Sequence, residues 1–335
     1  MNNSQKWNFL VESQNGHPLQ LFGWGEVKKH TGVWQVLHIV RASEATKTNS
    51  NPANNAADQP AANFAQILIR KTPLGSFGYI PRGPNINDNF LQELRTVAKR
   101  ENLFMLRFEP NVKAENWQNQ NFKHPKDHIL LNHTVQLDLT KSPETLLAEM
   151  DSGTRQNIRR GERNAALNIR PATAEDLPRI LAIYHETATR SHFPLHPDDY
   201  YHTIYKKMGQ HNHIFVAEIT DPETHQKQVE SFVWCIKTPA ICFELYGGGT
   251  SLALKHRANY LLKWHAILAA KETCKTYDIN GLLNDGISDF KRGFSSHQDG
   301  HATETVLAPT SDLVLKPLNY FLFTTLLPIF KKLHS

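Results

Sequence analysis

The sequence predicts an α+β protein made of two similar modules, each a mixed sheet flanked by helices. Three observations carry this prediction. The chain has 335 residues, more than one typical domain and enough to bury sizeable cores. Short apolar runs of strand character alternate along it with stretches whose apolar residues recur at helical spacing. The order strands, helix, strand occurs in the first half and again in the second, as a succession of elements and not as a repeated sequence.

Residues 19–29, LQLFGWGEVKK, read as a helical turn, and 33–40, VWQVLHIV, as a buried strand. Residues 43–63 are rich in Asn, Ala, Thr and Pro, with almost no large apolar side chain to anchor them, and are expected to form a disordered insertion. Strands follow at 64–70 and 77–80, and PRGP at 81–84 makes a rigid, basic turn. Phe90, Leu91, Leu94, Val97 and Ala98 fall on one helix face, and 103–108 is a strand ending at Glu109. A polar connection over 111–127 leads to a strand at 133–139. Ser142, Pro143 and Glu144 then form a helix start with proline in the first turn.

Residues 153–167, GTRQNIRRGERNAAL, are the most informative stretch. As a helix with Ser152 as N-cap, they place Arg155, Arg159 and Arg163 on one face at i, i+4 and i+8, with Arg160 widening the stripe. Such a face suits phosphate; a solvated, structural face is the plainer alternative. Thr173 and Asp176 then make a capping-box-like start for a helix with Leu177, Ile180, Leu181, Tyr184 and Ala188 on its apolar side. Another helix begins at Asp198. Strands are expected at 214–219, 229–236 and 241–246. A helix packing Ala258, Leu261, Leu262, Ala266 and Ala269 follows, then a short strand at 276–279.

The net charge of +5 and pI near 9.0 favour anionic partners such as substrate phosphates, tRNA or anionic lipid. The three cysteines lack metal-ligand spacing, and their odd, sparse count points to a reducing compartment. The first residues carry no basic segment followed by an apolar core, which points to the cytoplasm. The most apolar run, 318–330, is shorter than the roughly 20 residues a membrane span needs and contains Pro328. It reads as a packing helix. Lys331 and Lys332 behind it leave room for shallow contact with the inner face of a membrane.

Eight segments together resemble one family, the Fem-type tRNA-dependent aminoacyltransferases that build the peptidoglycan interpeptide bridge. They are FGWGEVKK (22–29), YIPRGP (79–84), LRFEP (106–110), TRQNIRRGERNAAL (154–167), ELYGGG (244–249), HRANYLLKWHAI (256–267), YDINGL (277–282) and FKRGF (290–294). The resemblance spans nearly the whole chain. It implies two acetyltransferase-like (GNAT-like) modules, the first over 1–140 completed by 310–335 and the second over 141–309. Only five residues separate the arginine helix from the next, so the chain resembles the compact type without a helical arm. The donor it implies is aminoacyl-tRNA carrying glycine, alanine or serine. The implied acceptor is lipid II or UDP-MurNAc-pentapeptide, and neither a cofactor nor a metal is called for, because an ester is already activated toward an amine.

The resemblance also assigns residues. Lys291 corresponds to a lysine near the donor end, where an ammonium stabilises the oxyanion or the leaving ribose oxygen, and Phe290 beside it packs on the terminal adenosine. Glu109 takes the position of a carboxylate proposed as general base, although pairing with Arg107 or Arg82 is an equal alternative. Lys28, or its neighbour Lys29, resembles a lysine contacting the precursor's pyrophosphate. Tyr246 resembles an acceptor-site tyrosine. At His196, four residues before Tyr200, related sequences often carry arginine; histidine is only a fractional cation at neutral pH. That departure leaves the phosphate to Arg190 or Arg82 and weakens the expectation of a nucleotide-linked acceptor. Arg155, Arg159 and Arg163 would face the tRNA backbone or brace the modules. The competing readings are an acetyl-CoA-dependent acetyltransferase, whose expected Gly-rich turn into a helix is absent from 247–259, and a non-catalytic RNA- or membrane-binding protein.

Overall fold

The computed structural model describes residues 1–42, 62–84, 86–117, 122–221, 225–283, 286–298 and 300–326. These form two compact units, Met1–Asn132 with Leu307–Ser335, and His133–Val306.

The first unit opens with helix α1 (Asn3–Ser13), which the apolar pattern did not announce; it starts at a capping box between Asn2 and Gln5. Helix α2 (Phe22–His30) buries Trp24 and Val27. Strands β1 (Trp34–Ala42), β2 (Ala62–Thr72) and β3 (Gly75–Pro81) pair antiparallel in sequence order. Helix α3 (Asp88–Arg100) then crosses over, so that β4 (Leu103–Glu109) lies parallel to β3. Phe90, Leu91, Leu94, Val97 and Ala98 are the buried face of α3, as their spacing predicts. β4 is buried along its whole length because it has a core on each side. One core gathers α3 with Ile67, Leu106 and Phe108; the other gathers Leu68, Phe77, Tyr79, Phe104 and Met105. The sheet is completed by the antiparallel strand Ser311–Val314.

In the second unit β5 (His133–Thr134) pairs with Thr305–Val306, and β6 (Gln136–Asp138) edges the main sheet. Then come α4 (Pro143–Glu149), α5 (Ser152–Glu162), β7 (Leu167–Pro171), α6 (Leu177–Ser191) and α7 (Asp198–Met208). Strands β8 (Asn212–Thr220), β9 (Lys227–Lys237) and β10 (Ile241–Gly249) pair antiparallel. Helices α8 (Ser251–His256) and α9 (Ala258–Lys271) cross over to β11 (Thr276–Asp278), parallel to β10. Helix α10 (Gly286–Arg292) follows. The sheet order is β6-β11-β10-β9-β8-β7. Three antiparallel strands, a helical crossover and a parallel strand therefore occur in both units; the sequence predicts the recurring order of strands, helix and strand, and the structure adds the strand directions.

Four expectations change. Of the segment 43–63, residues 43–61 lie outside the described residues, and Ala62 and Asn63 belong to β2, paired with Ala42 and Arg41. The arginine helix is capped by Asp151, whose carboxylate accepts from the Gly153 and Thr154 N–H groups, and it ends at Glu162. The residues from Leu167 instead extend as β7 along β8, because Leu167 and Ile169 pack against the core beneath it. The expected strand at 133–139 is two short strands on the second unit's side, since Thr276, Tyr277 and Asp278 pair with Asp138, Leu137 and Gln136. Near the C-terminus a helix Pro317–Phe321 runs into a π-helical turn Leu322–Leu326. Tyr320 and Phe323 pack on the β3–β4 core while Leu318 and Phe321 face outward, and 327–335 lie outside the described residues. No helix among the described residues is long and apolar enough to cross a membrane.

Candidate active site

The second unit's sheet opens in its middle. β10 and β11 pair at only three positions, the last being Phe243 with Asp278. On its other edge β10 carries a register shift between Glu244 and Tyr246, the mark of a bulge that bends the strand away. A cavity of about 570 Å³ lies at this divergence, bounded by β10, α6, α9 and α10. Gly248 lets α6 approach β10, since a Cβ there would stand 2.7 Å from Thr187 Oγ1.

The cavity wall combines aromatic rings with buried charge. Lys263 of α9 donates to both carboxylate oxygens of Glu244, at 2.6 and 2.7 Å, and the Tyr277 hydroxyl adds a 2.8 Å bond to the same carboxylate. Both charged side chains are buried, so each relies on the other for its neutralisation. The Lys263 ammonium also lies 5.4 Å and 5.6 Å from the ring centres of Phe290 and Phe294. Arg190 donates to the Gly249 carbonyl at 2.8 Å, and Arg257 to Asn157 Oδ1 at 2.6 Å. Lys291 donates to the carbonyls of Gly281 at 2.7 Å and Asn280 at 3.3 Å. Phe290 meets Tyr260 edge-on at 4.9 Å. A site with several cations and aromatic faces suits an anionic ligand that carries a ring.

Of the candidate site residues singled out in the sequence, Lys291, Phe290, Tyr246 and Arg190 line this one cavity. Burial and the neighbouring tyrosines Tyr200, Tyr184 and Tyr201 push the Tyr246 hydroxyl well above its ordinary range, so it acts as a neutral phenol. Tyr200 is hydrogen-bonded to Tyr246, and burial raises it too. His196 is exposed and lies on Tyr200, ring centres 4.2 Å apart, and its backbone N–H donates to the Tyr201 hydroxyl at 3.1 Å.

In the first unit the geometry reassigns two residues. Glu109 is buried, and its carboxylate accepts from Tyr79 Oη at 2.5 Å, the Ile129 and Leu130 N–H groups at 2.6 and 2.9 Å, and Thr310 Oγ1 at 3.1 Å. With four donors on two oxygens it ties the 129–130 loop to β4. Arg82 meets Glu109 through the backbone, its N–H donating to the Glu109 carbonyl at 2.7 Å, while the Arg107 guanidinium forms a two-pronged pair with Asp312 at 2.8 Å and a further bond to Asp127. Arg82 is 2% exposed, has φ +47°, and donates to the Leu131 carbonyl, so its guanidinium is closed to a phosphate. Lys28 and Lys29 separate cleanly. Lys28 lies 4.7 Å over the Trp24 ring and burial lowers it to about 8, whereas Lys29 is exposed beside Glu26.

On α5 the arginines also divide. Arg155 donates to the carbonyls of Ala148 and Met150 and so closes the end of α4, a bracing role. Arg159, Arg160 and Arg163 are exposed. Sequence reading missed Glu244, Lys263 and Asn280. The signal was present as two opposite charges in otherwise apolar runs, Glu244 in β10 and Lys263 between Leu262 and Trp264 in α9, but their proximity depends on the fold.

Comparison with known proteins gives three results. The sequence model of the FemAB family matches residues 125–232. Lipid II:glycine glycyltransferase of Staphylococcus aureus (strain MRSA252) is 23% identical over 225 residues, 60% of this chain and 50% of the relative. The protein of the same name from strain NCTC 8325 / PS 47 matches over the same shares. The chain thus spans about half the length of the curated relatives it matches. Among solved structures, FemX has a TM-score of 0.81 at 17% identity, over 97% of this chain and 99% of that one. A conserved protein of unknown function from Bacteroides thetaiotaomicron VPI-5482 has a TM-score of 0.52 at 10% identity, over 75% and 83%. The two structural likenesses are likenesses of fold.

Proposed function

We propose that the chain is an aminoacyltransferase of peptidoglycan-bridge synthesis in the FemAB family, a reading supported by the family model over residues 125–232 and the likeness to lipid II:glycine glycyltransferase. In this reading it moves glycine, alanine or serine from aminoacyl-tRNA to the stem-peptide amine of a lipid-linked precursor. The observation that carries the proposal is the joint presence of Lys291, Phe290 and Tyr246 on one cavity at the β10–β11 divergence.

The reaction asks little of the protein beyond alignment and charge. The uncharged amine attacks the ester carbon, the new C–N bond forms, the C–O bond to the ribose breaks, and the amine's proton ends on the ribose hydroxyl. Negative charge develops first on the carbonyl oxygen and then on the leaving oxygen. The Lys291 ammonium, held by two carbonyls, supplies a fixed positive charge for either. Phe290 offers a face or edge to the terminal base. Glu109 and Arg82 keep the first unit folded in this scheme; Lys28 is its candidate for the acceptor pyrophosphate, and exposed Arg159 and Arg163 are candidates for the tRNA backbone. The relatives named lipid II:glycine glycyltransferase favour a lipid-linked acceptor, and His196, an exposed imidazole instead of an arginine, points the same way. Such an acceptor would bring the chain to the inner face of the membrane.

The acetyl-CoA alternative loses support because Gly247, Gly248 and Gly249 lie within strand β10, not in a turn whose amides would grip a pyrophosphate. The test is transfer of a labelled amino acid from a mixed pool of charged bacterial tRNAs to lipid-linked and nucleotide-linked precursors. Transfer to the lipid-linked precursor that falls about 10²-fold or more in Lys291→Ala is the expected result. No transfer from any charged tRNA, with amine acetylation from acetyl-CoA instead, would overturn it.

A further inference from the structure

We propose that Asn280 is the positioning residue for Lys291, clamping the gap between β10 and β11 so that the ammonium stands at a fixed point on the cavity wall; this rests on the aminoacyl-transfer reading of Lys291. The clamp begins where the parallel ladder ends. One residue past the last pair on β10, the Glu244 carbonyl has left the β11 edge, and the Asn280 side chain reaches across to donate to it, Nδ2 to O at 3.0 Å. A side-chain amide thus stands in for a ladder bond that the divergence has removed.

The turn that carries Asn280 is fixed on its other side as well. The Asn280 N–H donates to Asp278 Oδ1 at 2.7 Å, and Asp278 is fully buried and also held by Thr134 Oγ1 at 2.5 Å and Gln136 Nε2 at 2.9 Å. The flanking N–H groups of Ile279 and Leu282 donate to the carbonyls of Val135 and His133. Asn280 itself has φ +63°, a left-handed conformation that asparagine tolerates better than most side chains. The result is a turn whose two consecutive carbonyls, of Asn280 and Gly281, receive the Lys291 ammonium at 3.3 and 2.7 Å. Helix α10, which carries Lys291, is seven residues long and is anchored by buried Ser288 and by Phe290 on Tyr260 and Phe294, while the far end of the Lys291 side chain is held by the two carbonyls of the turn. Residue 280 must meet two demands at once, a positive φ and a donor long enough to cross the gap. Glycine meets the first and alanine meets neither.

The experiment compares kcat and donor KM for the full chain, Lys291→Ala, Asn280→Gly and the double variant, with thermal melts of each. Glycine keeps the left-handed backbone and removes the clamp. The expected result is a fall in kcat of about 10²-fold in Asn280→Gly, the scale of an ångström's misplacement, with donor KM within about threefold and the melting temperature nearly unchanged. The double variant should be no slower than Lys291→Ala alone, because a clamp acting through the ammonium has nothing left to position. Asn280→Asp, which keeps the shape but cannot donate to the Glu244 carbonyl, should lose kcat to a similar degree and serves if the glycine variant unfolds. Wild-type kcat in both Asn280 variants, or losses that multiply in the double variant, would overturn the assignment. Wild-type transfer by Lys291→Ala would instead remove the reading on which it rests.

Discussion

Lys28 and Lys29 are neighbours on α2 with opposite surroundings, and the difference is measurable. Burial lowers Lys28 from 10.5 to about 8. The folded chain therefore releases this proton near pH 8, while an unfolded chain holds it until about 10.5. Between those values the unfolded state binds more protons, so stability rises with pH; below pH 8 both states are charged and the folded one carries the full desolvation cost. Lys28→Met should raise the melting temperature at pH 7, and that gain should disappear by pH 10.5. An equal gain at both pH values would show that the buried charge is not the cause. Sequence alone named both lysines because adjacent helix positions differ by 100° of rotation, and only the packing around Trp24 decides which one turns inward. Glu109 teaches the same lesson in reverse. Its residue type and place at a strand end suit a base, but four donors, two of them backbone amides some 20 residues away, make it a tie.

At the scale of single elements, α5 shows how far a charge pattern can be read. The i, i+4, i+8 spacing gives the stripe, and the buried Ile158 and Gly161 give the opposite face. Gly161 lets α5 lie close on α9, since a Cβ there would stand 2.9 Å from Leu261 Cβ. The pattern does not reveal that Arg155 turns back onto the carbonyls at the end of α4, because that requires the chain reversal at Met150 and Asp151. The arginines should therefore separate in experiment. Arg159→Ala with Arg163→Ala should weaken tRNA binding, flatten its salt dependence by about 0.7 to 0.9 per lost phosphate contact, and leave the melting temperature unchanged. Arg155→Ala should do the opposite, lowering stability by about 1.5 to 3 kcal/mol through lost charge-assisted bonds. Unchanged tRNA affinity in the double variant would remove α5 from the donor's path.

For the molecule as a whole, the first unit is tied together by residues 205 positions apart. The strand Ser311–Val314 completes its sheet, and Asp312, fully buried, neutralises the buried Arg107 on β4. Asp312→Ala leaves Arg107 with Asp127, whose side chain is 67% exposed. The loss should cost about 3 to 5 kcal/mol, as for other buried pairs broken on one side. Hydrogen exchange should show the cost as lost protection in β1–β4, with β8–β10 retaining theirs. Equal loss in both sheets would mean that the two units unfold as one.

What the sequence determined by itself is local and periodic. Apolar spacing defined the faces of α3 and α6, apolar runs defined β2, β4, β9 and β10, and their order defined two α+β units in which strands, a helix and a further strand recur. Those features depend on residues within a dozen positions of one another. What only the tertiary structure decided is where charges distant in sequence meet: Glu244 with Lys263 across the β10–α9 crossover, Arg107 with Asp312 on neighbouring strands of the first unit, and Asn280 across the gap between β10 and β11. The physical reason is that a buried charge or amide takes its meaning from the partner that neutralises it. That partner is chosen by topology, and hydrophobic periodicity carries no record of it.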